Sequence, residues 1–435
     1  MEQELSTQQT AAGIINPHSF SQLSPPDQKE KNLLRELARE LADRAARPVE
    51  KKKQALWTDH NDLRETRPLV FIDPENGWNE IITQDMLRCE HPVYRVWEMY
   101  LRKELHWADV LKDDKVIEAR FPVSYDYTDS GWGLTETQIV SGTKDGSYTW
   151  EAPLQNYDED FEQLTFPLIT VDYERTDRIV DIARSLFDGI LEIELRGVWW
   201  WTLGMTWDFI KLRGLENLML DMYDNPDGVH KLMAFLRDGM LQKLNFLEDS
   251  GLLSLNTGGT YVGSGGFGWT RELAAEDSET SPVRTQDMWG FAESQETVGV
   301  APQMFGEFIF PYQKSILERF GLNCYGCCEG LDKRFHYVKQ FPRLRRISVS
   351  PWADKKTMSE YLGKDYIYSL KPQPAVLAAG SIDEDYIRRE ARDYLEITKA
   401  NRTEIIMKDN HTLGGNPDNA RRWVEILRSE IDRIY

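Results

Sequence analysis

Three of the four cysteines, Cys324, Cys327 and Cys328, fall within five residues, and the last two are adjacent in Gly326-Cys327-Cys328-Glu329. Two soft thiols beside a carboxylate are donors for zinc or another thiophilic metal. The alternative is that the cysteines pack as small hydrophobes. Glu293-Ser294-Gln295-Glu296 carries two carboxylates three apart, which could serve a reaction or cap the following helix. Lys371 heads Lys371-Pro372, where an ammonium could bind an anion or pair with a nearby carboxylate. Lys408-Asp409-Asn410-His411-Thr412 holds the one histidine of seven at the end of an expected strand. Cys327 or Cys328, His411, and Glu296 or Glu293 together suit a catalytic zinc with three protein ligands and one open position. Trp199, in Gly197-Val198-Trp199-Trp200-Trp201, is joined by Trp207, Trp269 and Trp352 near the same rim. Such rings stack on a flat aromatic substrate or face a quaternary ammonium, or pack the domain against its flanking segment.

Each of these groups follows a short apolar run. The expected strands are Leu168 to Val171, Leu191 to Leu195, Leu252 to Leu255, Met288 to Ala292, Leu322 to Tyr325, Arg346 to Val349, Tyr366 to Leu370 and Glu404 to Met407. Helical patterns alternate with them over Pro302 to Phe320, Asp332 to Gln340, Lys355 to Leu362, Asp383 to Ala400 and Pro417 to Ile434. Strand and helix in alternation predict parallel pairing, and eight such units predict a (β/α)8 TIM-type barrel with its active residues past the C-terminal strand ends. A doubly wound sheet is the alternative, with no GxGxxG after a strand to support it. The expected organisation is a flexible tail over residues 1–26, an N-terminal α+β elaboration over 27–165, and the barrel over 166–435. The glycine-rich stretch Thr257 to Gly268 lacks the GK[ST] of a phosphate-binding loop. It is expected to be a connection, or a mobile loop that closes over substrate or admits a large partner.

Composition narrows the function. A net charge of -20 argues against nucleic-acid binding, which needs clustered lysine and arginine. No run reaches the roughly 18 apolar residues of a membrane span, and the polar start MEQELSTQQT is unlike a secretory signal, so a cytoplasmic protein is expected. Four cysteines are too few for a disulfide framework.

From about residue 165 onward the chain resembles the uroporphyrinogen decarboxylase superfamily, and within it the branch of cobalamin-dependent methyltransferases. The motifs are Trp289 to Glu296 (WGFAESQE), Tyr325 to Glu329 (YGCCE), Leu344 to Trp352 (LRRISVSPW), Lys371 to Ala375 (KPQPA) and Glu404 to Thr412 (EIIMKDNHT). The resemblance implies a barrel with zinc at its mouth and cobalamin supplied by a partner corrinoid protein. The His-x-Cys of many members falls on Tyr325-Gly326-Cys327, so the cysteine is kept and the histidine replaced. The RQAGRY motif of true decarboxylases is absent, which argues against porphyrinogen decarboxylation. The implied reaction moves a methyl group from a methoxylated aromatic or another O- or N-methyl donor to the corrinoid. Cys327 and His411 are then the first ligands and Cys328 and Glu296 the next. Glu329 or Asp409 protonates the leaving oxygen, and Trp199, Trp352 and Glu293 bind substrate. Two alternatives stay open: a metal-free decarboxylase or lyase using Lys371, Arg196 and carboxylates, and a non-catalytic corrinoid-binding barrel. A homo-oligomer is allowed.

Overall fold

The protein is described by a computed structural model covering residues 23–140, 148–275 and 282–435. The tail expected over residues 1–26 lies outside the described residues as far as residue 22. Its end is packed down: Leu23 is buried, and the Tyr94 hydroxyl donates to the Ser24 carbonyl.

Eight strands pair in parallel: β1 (Leu69–Ile72), β2 (Arg120–Ser124), β3 (Glu192–Arg196), β4 (Trp289–Ala292), β5 (Leu322–Tyr325), β6 (Leu344–Val349), β7 (Ile367–Leu370) and β8 (Arg402–Met407). Six of them form one sheet in the order β1-β8-β7-β6-β5-β4, while β2 and β3 pair with each other. Every residue of β1, β4, β5 and β7 is buried, the mark of a parallel sheet covered on both faces. The covering helices start where the sequence places caps. Asp354 accepts from Thr357 N before Lys355–Leu362, and Asp383 from Tyr386 N before Glu384–Ile397. The fold is therefore mixed α/β around a six-stranded parallel sheet. No helix among the described residues is long and apolar enough to cross a membrane.

Several elements differ from expectation. The segment read as elaboration supplies β1 and β2, and Leu69 to Ile72 lie in register with Glu404 to Met407 of the last strand. Both strands were hard to read. β1 is only four residues long between Pro68 and Asp73-Pro74, and β2 contains Pro122, which ordinarily argues against a strand interior. The expected strand Leu168 to Val171 is instead the antiparallel partner of Tyr127–Asp129. Leu252 to Leu255 forms no strand. After it, the Asn256 side-chain amide donates to Trp289 O and accepts from Trp289 N, both at 2.9 Å, doing for the edge of β4 what a neighbouring peptide group would do. The pattern Pro302 to Phe320 divides into Pro302–Phe308 and Phe310–Leu317. Pro311 lacks the N–H that would continue one helix through that point.

The glycine-rich stretch folds as a small antiparallel hairpin, Tyr261–Val262 with Gly266–Phe267, laid on the inner face of the sheet. Its backbone comes so close that side chains have no room. A Cβ on Gly266 would lie 2.4 Å from the Arg346 guanidinium carbon, and one on Gly263, where φ is +71°, would lie 2.9 Å from Cys324 Cβ. Phe267 and Tyr261 pack edge-on against Phe71, and Phe267 against Trp57. The hairpin thus fills the interior rather than serving as a loose lid.

Gly266→Ala should lower unfolding stability by about 1–3 kcal/mol in urea titration, because the buried Arg346 cannot retreat. Gly299→Ala, whose Cβ meets only Met219 Sδ at 3.8 Å, should stay within about 0.5 kcal/mol of the parent. Equal effects would show that the hairpin is not held against the sheet.

Candidate functional site

Side chains alternate along a strand, so one face of the sheet collects every second residue. On the face met by the hairpin these are Phe291, Cys324, Arg346, Ser348, Ile406 and Lys408. Ser369 and Glu404 join them through a 2.6 Å hydrogen bond, and Lys371 Nζ donates to Ser369 Oγ at 2.6 Å. A sheet interior with this many polar groups must satisfy them internally. Glu404 does most of that work. Its Oε1 lies 3.0 Å from Arg346 Nε and its Oε2 is 3.1 Å from His60 Nε2, on the helix Pro48–Asn61. Burial alone would raise the Glu404 pKa, but Arg346, His60 and Lys371 outweigh it and hold the carboxylate far below its ordinary range. Burial lowers Lys371 to about 8.

At the C-terminal strand ends lies the thiol corner. Gly326, at φ +93°, turns the chain out of β5 in a conformation that favours glycine. Cys327 is half-buried and Cys328 exposed, and their sulfurs stand 3.8 Å apart. Cys328 Sγ is a further 3.8 Å from Asp409 Oδ2, beyond the end of β8. Cys327 is pushed well above the usual thiol range by its hydrogen bond with Cys328, by burial, and by the charges of Cys328, Glu329 and Asp409. A cation at this corner would relieve that crowding of acids.

Glu329 fastens the corner in place. Its carboxylate accepts from Ser294 N and Cys327 N, both at 2.8 Å, tying the ends of β4 and β5 together. It is buried, and burial raises its pKa. Among the buried side-chain atoms of the described residues without a hydrogen-bond partner, Glu293 Oε1 after β4, Ser350 Oγ after β6 and Asn410 Oδ1 after β8 lie beside strand ends, and His60 Nδ1, Arg346 Nε, Asn323 Oδ1 and Arg428 Nε lie elsewhere. Such groups cost roughly 1–3 kcal/mol each.

The expected zinc set does not gather as one group. Among the described residues no three or more His, Cys, Asp or Glu side chains are arranged to hold a metal ion. Zinc holding two thiolates at about 2.3 Å in a tetrahedron places its sulfurs about 3.8 Å apart. The thiol pair therefore has the chemistry and spacing of half a coordination shell. His411 stands exposed on the turn beyond Asn410, and Glu296 accepts from Thr206 Oγ1 at 2.7 Å. The turn through Asp409, at φ +60°, presents Asp409 to Cys328 instead.

The remaining candidates also separate. Glu293 is fully buried, and burial, then Glu296 and Glu329, raise it well above the carboxylate range. Trp199 is buried against Tyr125 and Tyr127 with its indole N–H on the Leu252 carbonyl, a packing role, whereas Trp352 is 71 % exposed. Arg196 is bound to Glu194 and the Leu255 carbonyl. Sequence reasoning missed His60, Ser369, Arg346 and Glu404 as a connected set. The one available signal was a row of polar residues inside strands that should be apolar.

No family model matches the chain, and no curated protein matches it. Among solved structures it is similar to a methyltransferase from Methanosarcina mazei, with a TM-score of 0.47 and 10% sequence identity over 88% of this chain and 98% of that one. The functional reading rests on the residues of this chain.

With Lys371 at about 8 in the fold and 10.5 in the unfolded chain, the unfolded state holds the extra proton between those values. Folding stability should therefore rise with pH across that window. In urea unfolding the parent should gain about 3 kcal/mol on Lys371→Met between about pH 8 and 10.5. Parallel pH curves would mean that Lys371 is not desolvated.

Proposed function

We propose that the chain is a methyltransferase whose reaction centre is the Cys327–Cys328 corner. The methyl group comes from a small O- or N-methyl compound, a methoxylated aromatic being the preferred class, and passes to a corrinoid carried by a separate cytoplasmic protein. The observation that carries this reading is the pair of sulfurs 3.8 Å apart at the end of a parallel strand, with the Asp409 carboxylate 3.8 Å beyond the second. The motif resemblance through Tyr325 to Glu329 and Glu404 to Thr412 supports it. We further propose that the eight parallel strands close into a (β/α)8 barrel, a reading supported by the ladder between the first strand, β1, and the last, β8.

In this reading Cys327 and Cys328 hold zinc, and Asp409 is the nearest further donor. Bound there, zinc supplies Lewis acidity to the heteroatom that carries the methyl group. The protein's own groups do the rest. Glu329 fixes the Cys327 amide and so the direction of the thiols, an anchoring role in place of the proton donation expected of it. Lys371 meets the negative charge that develops on the departing oxygen. Exposed Trp352, in the loop after β6, offers a ring to a flat substrate or to the incoming partner.

The direct test is methylation of free cob(I)alamin by the purified protein in the presence of methoxylated benzoates, read as the methylcobalamin absorbance. Cys327→Ser and Cys328→Ser should each lose more than about 100-fold, since removing a ligand costs more than disturbing its support. His411→Ala should change little. Full activity in both serine variants would defeat the proposal, and a loss in His411→Ala as large as that in Cys327→Ser would restore the ligand set expected from sequence.

A further inference from the structure

We propose that Glu404 is a positioning residue that, through Ser369, fixes the place and charge of the Lys371 ammonium at the strand ends, with His60 pinning it from the helix Pro48–Asn61. The chain of contacts is continuous and buried: Lys371 Nζ to Ser369 Oγ at 2.6 Å, Ser369 Oγ to Glu404 Oε1 at 2.6 Å, and Glu404 Oε2 to His60 Nε2 at 3.1 Å. It crosses three elements that are far apart in sequence, the helix Pro48–Asn61, β7 and β8.

Lysine side chains are long and flexible, and a buried one is ordinarily pushed toward its neutral form. Here Ser369 and Lys371 lie two apart on β7 and its extension, hence on one face, so the hydroxyl receives the ammonium without a bend in the chain. Glu404 sits on the neighbouring strand, level with Ser369, its register partner. The carboxylate cannot drift toward the lysine, because Arg346 Nε holds Oε1 at 3.0 Å and His60 holds Oε2. The other charged or titratable groups facing Lys371 are Arg346 from β6 and Lys408 from β8, which oppose its charge, and the Cys327 thiol from the turn after β5, which would favour it if ionised. Of all these, Glu404 contributes most toward keeping the lysine charged, against a larger cost of burial. The result is an ammonium held rigidly but close to losing its proton, suited to meet an oxygen as it becomes anionic.

This inference deepens the methyl-transfer reading and rests on it for the identity of that oxygen. The relay itself is tested on the resting, metal-free protein, with neither methyl donor nor corrinoid. Competitive acetylation with isotope-coded acetic anhydride, followed by digestion and mass spectrometry, gives the reactivity of Lys371 relative to exposed lysines across pH. In the parent Lys371 should titrate near 8. In Ser369→Ala and Glu404→Gln the midpoint should fall, and for Glu404→Gln reactivity at neutral pH should rise about tenfold, the equivalent of one pKa unit. If Glu404→Gln does not fold, because Arg346 is left without its counter-charge, Ser369→Ala decides alone. A midpoint equal to that of surface lysines, or one unmoved in the folded variants, overturns the relay. Loss of methyl transfer with an intact relay would instead count against the reaction and not against this inference.

Discussion

The Glu404 carboxylate is the contact on which the interior depends. A buried charge is tolerated only when paired and hydrogen-bonded, and removing one partner of such a pair costs roughly 3–5 kcal/mol. Glu404 meets that condition with Arg346, Ser369 and His60 together, none of them near it in sequence. The helix Pro48–Asn61 is therefore part of the core. Beside His60, Asn61 accepts from Arg346 through Oδ1 and donates through Nδ2 to the Phe267 and Trp269 carbonyls, so the same helix seats both the guanidinium and the hairpin.

From that anchor the rest of the interior follows. Arg346 lies over the Trp289 ring and under Gly266, which is why the hairpin needs glycine where it passes. The hairpin in turn covers Cys324 and Phe291, and Ser264 reaches Ser348 at 3.2 Å. Ser348 then donates to the Cys327 carbonyl at 3.1 Å. The thiol corner is thus held from below by the polar interior and from the side by Glu329. Buried atoms without a hydrogen-bond partner occur at both levels, at His60 Nδ1, Arg346 Nε and Asn323 Oδ1 in the deeper layer and at Glu293 Oε1, Ser350 Oγ and Asn410 Oδ1 beside the strand ends, and the strand ends add a group of acids.

Much of this was legible from sequence. β4 to β8 each show a short apolar run before a polar turn, and all five were placed within a few residues. The cluster Gly326 to Glu329 announced itself through residue type alone. Other features were hidden for physical reasons. Four residues flanked by prolines, as in β1, carry too little periodicity to separate strand from loop, and Pro122 in β2 points the wrong way. Glu404, Ser369 and Arg346 look like ordinary polar interruptions until pairing sets them side by side. His60 shares a helix with exposed lysines, and nothing local distinguishes it. The ligand expectation for His411 rested on its place at the end of an expected strand and on the resemblance. The left-handed turn at Asp409 directs Asp409 to Cys328 and leaves His411 exposed.

The central claim is that Cys327 and Cys328 act together as a pair of soft ligands. Zinc K-edge absorption on the zinc-loaded protein tests it most directly, because the fine structure counts sulfur neighbours. The account predicts two sulfur scatterers at about 2.3 Å with the rest of the shell oxygen or nitrogen, and one sulfur fewer in either serine variant. A shell without sulfur, or a protein that takes up no zinc, would contradict it.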